Sequence, residues 1–113
     1  TDVPETAKVC AQEVFAPMVG VYAFSDFNAA VAAVNRSTYG LQAGVFTSNL
    51  QHAFQGFETL EVGGVIVNDV PSWRIDHMPY GGVKASGLGR EGPRYAIEEM
   101  TELRLMVVNE EIA

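Results

Sequence analysis

The chain has 113 residues, of which 48% are hydrophobic, and a formal net charge of −7. This length fits one domain or part of a larger one, and the apolar content argues against disorder. The acidic balance argues against nucleic-acid binding, which needs surplus Lys and Arg. A single cysteine excludes an internal disulfide and fits a reducing cytoplasm. No apolar run approaches the ~20 residues of a membrane span, so we predict a cytoplasmic protein without a membrane partner.

The first predicted elements are a strand followed by a helix. Residues 18–24, MVGVYAF, are rich in β-branched and aromatic residues and predict a strand. An alanine-rich run follows, and either Ser25 or Asp26 can cap the helix that it forms. Gly40 marks the stop after this helix and its loop.

A second strand and helix follow. Residues 41–47, LQAGVFT, predict a short apolar strand, and Ser48 or Asn49 can cap the next helix. Gly63 and Gly64 are predicted to end that helix. Apolar residues recur along it at a spacing of three and four, which predicts one buried face. These residues are Leu50, Ala53, Phe54, Phe57 and Leu60.

The second half of the chain surrounds a glycine-rich segment. Residues 65–67, VIV, predict a strand covered on both faces. The segment RIDHMPYGGVKASGLGRE at 74–91 follows, and then a helix with Pro93 in its first turn and Glu91 near its positive end. Residues 101–108, TELRLMVV, predict a final strand. The order β-α-β-α-β-loop-α-β predicts an α/β layered fold with a mostly parallel sheet.

The glycine-rich segment leaves a strand at the end where α/β proteins bind ligands. Ligands of open α/β sheets lie beyond the carboxyl ends of the strands, so residues 69–88 lie where a site is expected. The glycines can let backbone amides approach a ligand, or they can only permit close packing of the chain. The composition favours neither interpretation over the other.

Few side chains in the sequence suggest chemistry on their own. Cys10 lies near Glu13, but no histidine is close enough in sequence to activate the thiol, so we favour a small buried hydrophobe. His52 and His77 do not form a metal-ligand spacing, and we predict no metal site. The GLGRE segment matches neither of the glycine-rich phosphate-binding patterns. Trp73 and Tyr80 flank His77 and can line a pocket or simply fill a core.

Four motifs in order resemble the C-terminal end of the aldehyde dehydrogenase superfamily. The resemblance covers nearly all of the chain, and the order and spacing of the pieces make it specific. Ala16 differs from the glycine that is usual in the E-x-F-G-P pattern of the first motif. The motifs are EVFAPM (13–18), YGLQAGVFT (39–47), GGVIVND (63–69) and MPYGGVKASGLGREG (78–92).

The resemblance implies a reaction and two kinds of binding residue. Members of this superfamily oxidise aldehydes to carboxylic acids with NAD or NADP, through a cysteine thiohemiacetal and a thioester. By its place in the motif, Glu13 is expected to accept hydrogen bonds from the nicotinamide ribose, and Phe15 to lie against the nicotinamide. Tyr80 matches an aromatic residue that lines the aldehyde pocket.

The resemblance also implies that this chain is only part of such an enzyme. The nucleophilic cysteine, the general base and the dinucleotide-binding domain lie upstream of the E-x-F motif, so no catalytic residue is expected here. Residues 1–102 are assigned to the catalytic domain and residues 103–113 to a C-terminal oligomerisation strand and tail, in a homo-oligomer. The alternative is a non-catalytic binding or assembly module of the same fold, because fold does not fix function.

Charged and aromatic residues of the loop suggest the class of substrate. Trp73, Arg74 and His77 are placed with Tyr80 in the substrate pocket, and the cationic or protonatable groups predict a small polar or anionic aldehyde. The alternative is that Arg74 pairs with Asp69 or Asp76 and never meets the substrate.

Overall fold

The computed structural model describes residues 3–110, which contain helices and short strands. The predicted α/β class is confirmed. The elements in chain order are α1 (Lys8–Ala11), α2 (Phe27–Asn35), β1 (Tyr39–Gly40), β2 (Gln42–Val45), α3 (Leu50–Thr59), β3 (Gly64–Val67), β4 (Val83–Lys84) and α4 (Pro93–Met100).

The strands form two small sheets. Strand β2 pairs with β3 in parallel, with Gln42 opposite Gly64 and Val45 opposite Val67. Strand β1 pairs with β4 antiparallel. The prediction of one mostly parallel sheet is therefore right for the β2–β3 pair and wrong for the rest of the described chain.

Side-chain caps begin the two central helices where the sequence predicts them. The carboxylate of Asp26 accepts a hydrogen bond from the backbone N–H of Ala29 at 2.8 Å. The side-chain oxygen of Asn49 accepts one from the N–H of Gln51 at 2.9 Å. Each cap supplies an acceptor for a backbone donor that the first helical turn leaves unpaired. Helix α3 ends at Thr59, before the predicted stop at Gly63.

Two predicted strands are absent from the described residues. Residues 18–24 and 101–108 have no regular secondary structure, and their side chains are exposed. Their apolar and β-branched composition is suited to a sheet, but an isolated strand gains nothing without a neighbour to pair with. Neither segment has a ladder partner in the part of the chain that the structure describes.

The apolar residues of the chain are mostly exposed. Among residues 3–110, the only buried hydrophobic side chains are those of Val31 and Val45. The predicted buried face of α3 is wrong for this chain, because Leu50 and Phe57 are both 71% exposed. The accessible surface is 9539 Å², whereas a compact 12.2 kDa protein exposes about 6,000 Å². Other protein surface is needed to bury these side chains.

The described part of the chain is elongated. Its radius of gyration is 20.1 Å, against about 13 Å for a compact domain of this length. None of the helices between residues 3 and 110 has the length and apolar character that crossing a bilayer requires.

Candidate functional site

A cleft opens where β3 ends. It has a volume of about 400 Å³ and is lined by residues 65–69 and by Trp73, whose side chain is partly exposed. Asn68, the first residue after β3, has a positive φ of 60°. Its backbone N–H donates to the carbonyl of Val45 at 2.9 Å, and its side-chain oxygen accepts from the N–H of Thr47 at 2.8 Å. Asn68 therefore joins the carboxyl ends of β2 and β3 and also lines the cleft.

Three residues of the glycine-rich segment form a cluster, and none of them lines this cleft. The guanidinium carbon of Arg74 lies 4.1 Å from the centroid of the Tyr80 ring. Nη2 of Arg74 donates to a carboxylate oxygen of Glu91 at 2.9 Å. Tyr80 and Glu91 also exchange two backbone hydrogen bonds, of 3.2 and 2.6 Å. One cation thus stacks on an aromatic ring and pairs with a carboxylate, both held in place by the same backbone bridge.

The ion pair of Arg74 differs from the one that the sequence suggests. Neither Asp69 nor Asp76 is its partner, because Glu91 takes that role from 17 positions along the chain. Asp69 instead accepts a hydrogen bond from the N–H of Val70 at 2.7 Å. In the sequence, Glu91 is recognisable only as an acidic residue just before a helix. Such a position suggests an interaction with the helix dipole rather than an ion pair with Arg74.

Glycines allow the segment to lie directly on the sheets. A Cβ on Gly63 would lie 1.7 Å from the carbonyl oxygen of Gly81, so the two backbones leave no room for a side chain. Gly92, which precedes α4, has a φ of 112°, and a Cβ there would lie 2.8 Å from the carbonyl oxygen of Met78. At these positions the glycines serve close packing of the backbone.

The predicted cofactor residues lie in another part of the chain. Glu13 and Phe15 belong to a segment without regular structure, and Phe15 is 94% exposed. Neither side chain makes a hydrogen bond, ion pair or ring contact with residues 3–110. His77 is also exposed on its turn and makes no such contact there. The structure therefore brings together Arg74 and Tyr80, with Trp73 adjacent in sequence, but not the cofactor residues.

Cys10 is half-buried rather than buried as predicted. The hydroxyl of Tyr22 donates to its sulfur at 2.8 Å. This hydrogen bond, followed by desolvation and nearby negative charge, raises the pKa of the Tyr22 hydroxyl above its ordinary value. The pair ties α1 to the irregular segment that contains Tyr22.

Neither histidine suggests a metal site. His52 stacks on the ring of Phe27, with centroids 4.5 Å apart, and joins α3 to α2. Within residues 3–110 no group of three or more His, Cys, Asp or Glu side chains could hold a metal ion.

Comparison with known proteins finds a matching family model and similar relatives. A family model described as the aldehyde dehydrogenase family matches residues 1–106. The chain is 55% identical to a 3-sulfolactaldehyde dehydrogenase of Priestia megaterium over 109 residues, which are 96% of this chain and 23% of that protein. It is 48% identical to a lactaldehyde dehydrogenase of Methanococcus aeolicus over 97 residues, which are 86% of this chain and 21% of that protein.

Solved structures show the same similarity. Aldehyde dehydrogenase 21 from Physcomitrella patens, in complex with the reaction product succinate, superposes with a TM-score of 0.87 and 51% identity. The superposition covers 89% of this chain and 21% of that one. The chain therefore spans less than a quarter of each of these relatives.

Proposed function

Because the chain belongs to the aldehyde dehydrogenase family, we propose that the protein containing it oxidises an aldehyde to a carboxylic acid with NAD or NADP. A cysteine thiolate adds to the aldehyde carbon, and the resulting thiohemiacetal loses a hydride to the nicotinamide. Water then hydrolyses the thioester, which releases the acid and restores the thiol. The family match over residues 1–106 is the observation that carries this proposal.

We assign to this chain a binding role within that reaction. Glu13 is proposed to accept hydrogen bonds from the nicotinamide ribose, since a carboxylate has two acceptor oxygens and suits a diol. Phe15 would lie against the nicotinamide and limit its movement. Both side chains are exposed and are therefore accessible to a cofactor. The nucleophile, the general base and the dinucleotide-binding fold are proposed to come from other parts of the enzyme.

The proposed substrate is a small polar or anionic aldehyde, which Arg74 would meet. Trp73, His77 and Tyr80 are proposed to line the pocket around it. The guanidinium has five N–H groups that can donate hydrogen bonds. The hydrogen bond to Glu91 uses one of them, on Nη2. The side chain of Arg74 remains 39% exposed, so its other donors can face a ligand. One relative is named for 3-sulfolactaldehyde and another was solved with succinate, and both of these molecules are anionic, which supports this class.

A self-standing binding module is less well supported. Such a module would need its own core, whereas only Val31 and Val45 are buried hydrophobic residues between residues 3 and 110. The exposed apolar face of α3 and the exposed irregular segments are better explained as surfaces that the rest of a catalytic domain covers. Residues 1–102 are accordingly proposed to belong to that domain and residues 103–113 to the oligomerisation tail.

An activity assay of the purified full-length protein tests this function directly. Aldehyde-dependent formation of NADH or NADPH, with stoichiometric production of the carboxylic acid, is the expected result. A protein that reduces neither cofactor with any of a panel of polar and apolar aldehydes would refute the proposal.

A further inference from the structure

One side chain of β2 holds the start of the segment that follows β3. Nε2 of Gln42 donates to the backbone carbonyl of Pro71 at 2.6 Å and to that of Trp73 at 2.9 Å. A carboxamide nitrogen has two hydrogens, so each carbonyl receives one of them. Since both partners are acceptors, the orientation of the amide group follows from the contacts themselves. Gln42 thus clips together two residues that lie about 30 positions from it along the chain.

Glycines on β2 and β3 leave room for the Gln42 side chain and for the segment that it binds. The ladder places Gln42 opposite Gly64 of β3. A Cβ on Gly64 would lie 3.0 Å from Oε1 and 3.2 Å from Cγ of Gln42, so the glutamine side chain crosses directly over that glycine. Gly44 lies two residues further along β2, on the same face. A Cβ there would lie 2.6 Å from the carbonyl oxygen of Asp69 and 3.2 Å from Cδ of Pro71.

The segment is therefore supported at two points along β2. Gly44 gives the backbone at Asp69 and Pro71 room to approach the strand, and Gln42 binds the carbonyls that follow. Arg74 comes immediately after the second of these carbonyls, and its guanidinium then reaches Tyr80 and Glu91. The backbone just before Arg74 is thus held by β2, whereas the Arg74 side chain is held by Tyr80 and Glu91.

We infer that Gln42 is a positioning residue that sets where Trp73 and Arg74 stand at the mouth of the substrate pocket. The inference rests on the proposed function, because it takes Arg74 to meet the aldehyde. Gln42 itself touches neither substrate nor cofactor in this account. It acts only through the carbonyls of Pro71 and Trp73, and a shift of about 1 Å in a positioning group is enough to slow a reaction severely.

The decisive variant is Gln42→Glu in the full-length enzyme. It keeps the shape of the side chain, but the carboxylate has no hydrogen to donate and faces two carbonyl oxygens. Gln42→Leu removes the donors without adding a charge and serves as the second variant. Gln51→Glu on the exposed surface of α3 is the matched control, since the side chain of Gln51 makes no hydrogen bond within residues 3–110.

Two readouts distinguish a clip from a general effect on stability. Limited trypsin digestion, followed by mass spectrometry, measures cleavage after Arg74. Both Gln42 variants should be cleaved about tenfold faster there than the wild type, with cleavage elsewhere unchanged, because the two hydrogen bonds that restrain the segment are lost, each worth about threefold. In steady-state assays KM for the aldehyde should rise about tenfold while the Kd for the cofactor stays unchanged, and Gln51→Glu should resemble the wild type in both assays.

The inference is overturned if the cleavage rate after Arg74, or KM for the aldehyde, equals that of the wild type in both Gln42 variants. Faster cleavage everywhere in the protein, with an equal loss of cofactor binding, would also overturn it, since that pattern reports unfolding. A wild-type enzyme that oxidises no aldehyde would refute the proposed function instead. The cleavage rate after Arg74 would then still decide whether Gln42 holds the segment.

Discussion

The guanidinium of Arg74 lies 4.1 Å above the ring of Tyr80, and the two are held together by Glu91. The carboxylate of Glu91 takes one nitrogen of the guanidinium, and its backbone bridges to the backbone of Tyr80. A partly exposed cation is thereby kept in one orientation by one carboxylate and one aromatic ring, and part of the guanidinium stays accessible. We propose that the guanidinium N–H groups that do not contact Glu91 meet a polar or anionic ligand.

We predict that Glu13→Gln slows hydride transfer in the full-length enzyme by about 100-fold, because the nicotinamide ribose loses the acceptor that positions it. The substitution keeps the side-chain shape and removes only the charge and one acceptor oxygen. Single-turnover measurement of cofactor reduction gives the rate. Glu58→Gln on the exposed surface of α3 is the matched control. Equal rates for Glu13→Gln and the wild type would remove Glu13 from the cofactor site.

We predict that Gly63→Ala destabilises the enzyme by about 2 kcal/mol or more, because a Cβ would lie 1.7 Å from the carbonyl oxygen of Gly81 and a backbone atom cannot easily move. Gly56→Ala is the matched control. It lies inside α3, its nearest contact is at 3.4 Å, and alanine gains about 0.5–1 kcal/mol over glycine in a helix. The midpoint of thermal unfolding should fall for Gly63→Ala and not for Gly56→Ala. A similar midpoint for both would show that the backbones at Gly63 and Gly81 can separate.

Local signals predicted the elements that depend on local chemistry. Asp26 and Asn49 cap their helices as expected, because a cap needs only a side-chain acceptor beside the first turn. Pro93 begins α4 for the same kind of reason, since its missing N–H costs nothing there. The parallel pairing of β2 with β3 also follows from the order of the elements.

The features that depend on distant partners could not be predicted in the same way. The segments at 18–24 and 101–108 have the composition of strands but no neighbour to pair with in the described chain. Glu91 pairs with Arg74 only in the folded chain, and no rule of residue spacing in the sequence predicts that ion pair. Gln42 carries no signal either, because a single glutamine in a short strand is indistinguishable from an ordinary surface residue.

We predict that the isolated 113-residue chain reduces neither NAD nor NADP with any aldehyde. Cys10 lies three residues before Glu13, whereas the nucleophile expected by resemblance lies far upstream of that motif. By that resemblance, Cys10 is not the group that forms the thiohemiacetal. Spectroscopic assay of the reduced nicotinamide, with the full-length enzyme as the positive control, measures this. Aldehyde-dependent turnover by the isolated chain would contradict the division of labour that we propose.

We predict that residues 103–113 promote association of the chain. The side chains of this segment are among the most exposed apolar groups of the structure, with Leu103 and Leu105 at 107% and 86%, and an unpaired apolar segment of this kind recruits a second chain. Residues 111–113 lie outside the described range. Light scattering at ~0.1 mM, where weak association is visible, should show oligomers for the chain and a lower mass for a form that ends at residue 102. A folded monomer in both forms would refute the assembly role.

The central claim is that Arg74 presents a positive charge to the aldehyde in a dehydrogenase of this family. The most direct measurement compares kcat/KM for an anionic aldehyde and for a neutral aldehyde of similar size, in the full-length wild type and in Arg74→Ala. Arg94→Ala is the control, since Arg94 pairs with Glu98 on the exposed face of α4. We predict that Arg74→Ala lowers kcat/KM for the anionic aldehyde by about tenfold or more, the worth of a charged hydrogen bond, and leaves the neutral one nearly unchanged. Equal losses for both aldehydes, or a wild-type preference for long apolar aldehydes that survives in Arg74→Ala, would contradict the claim.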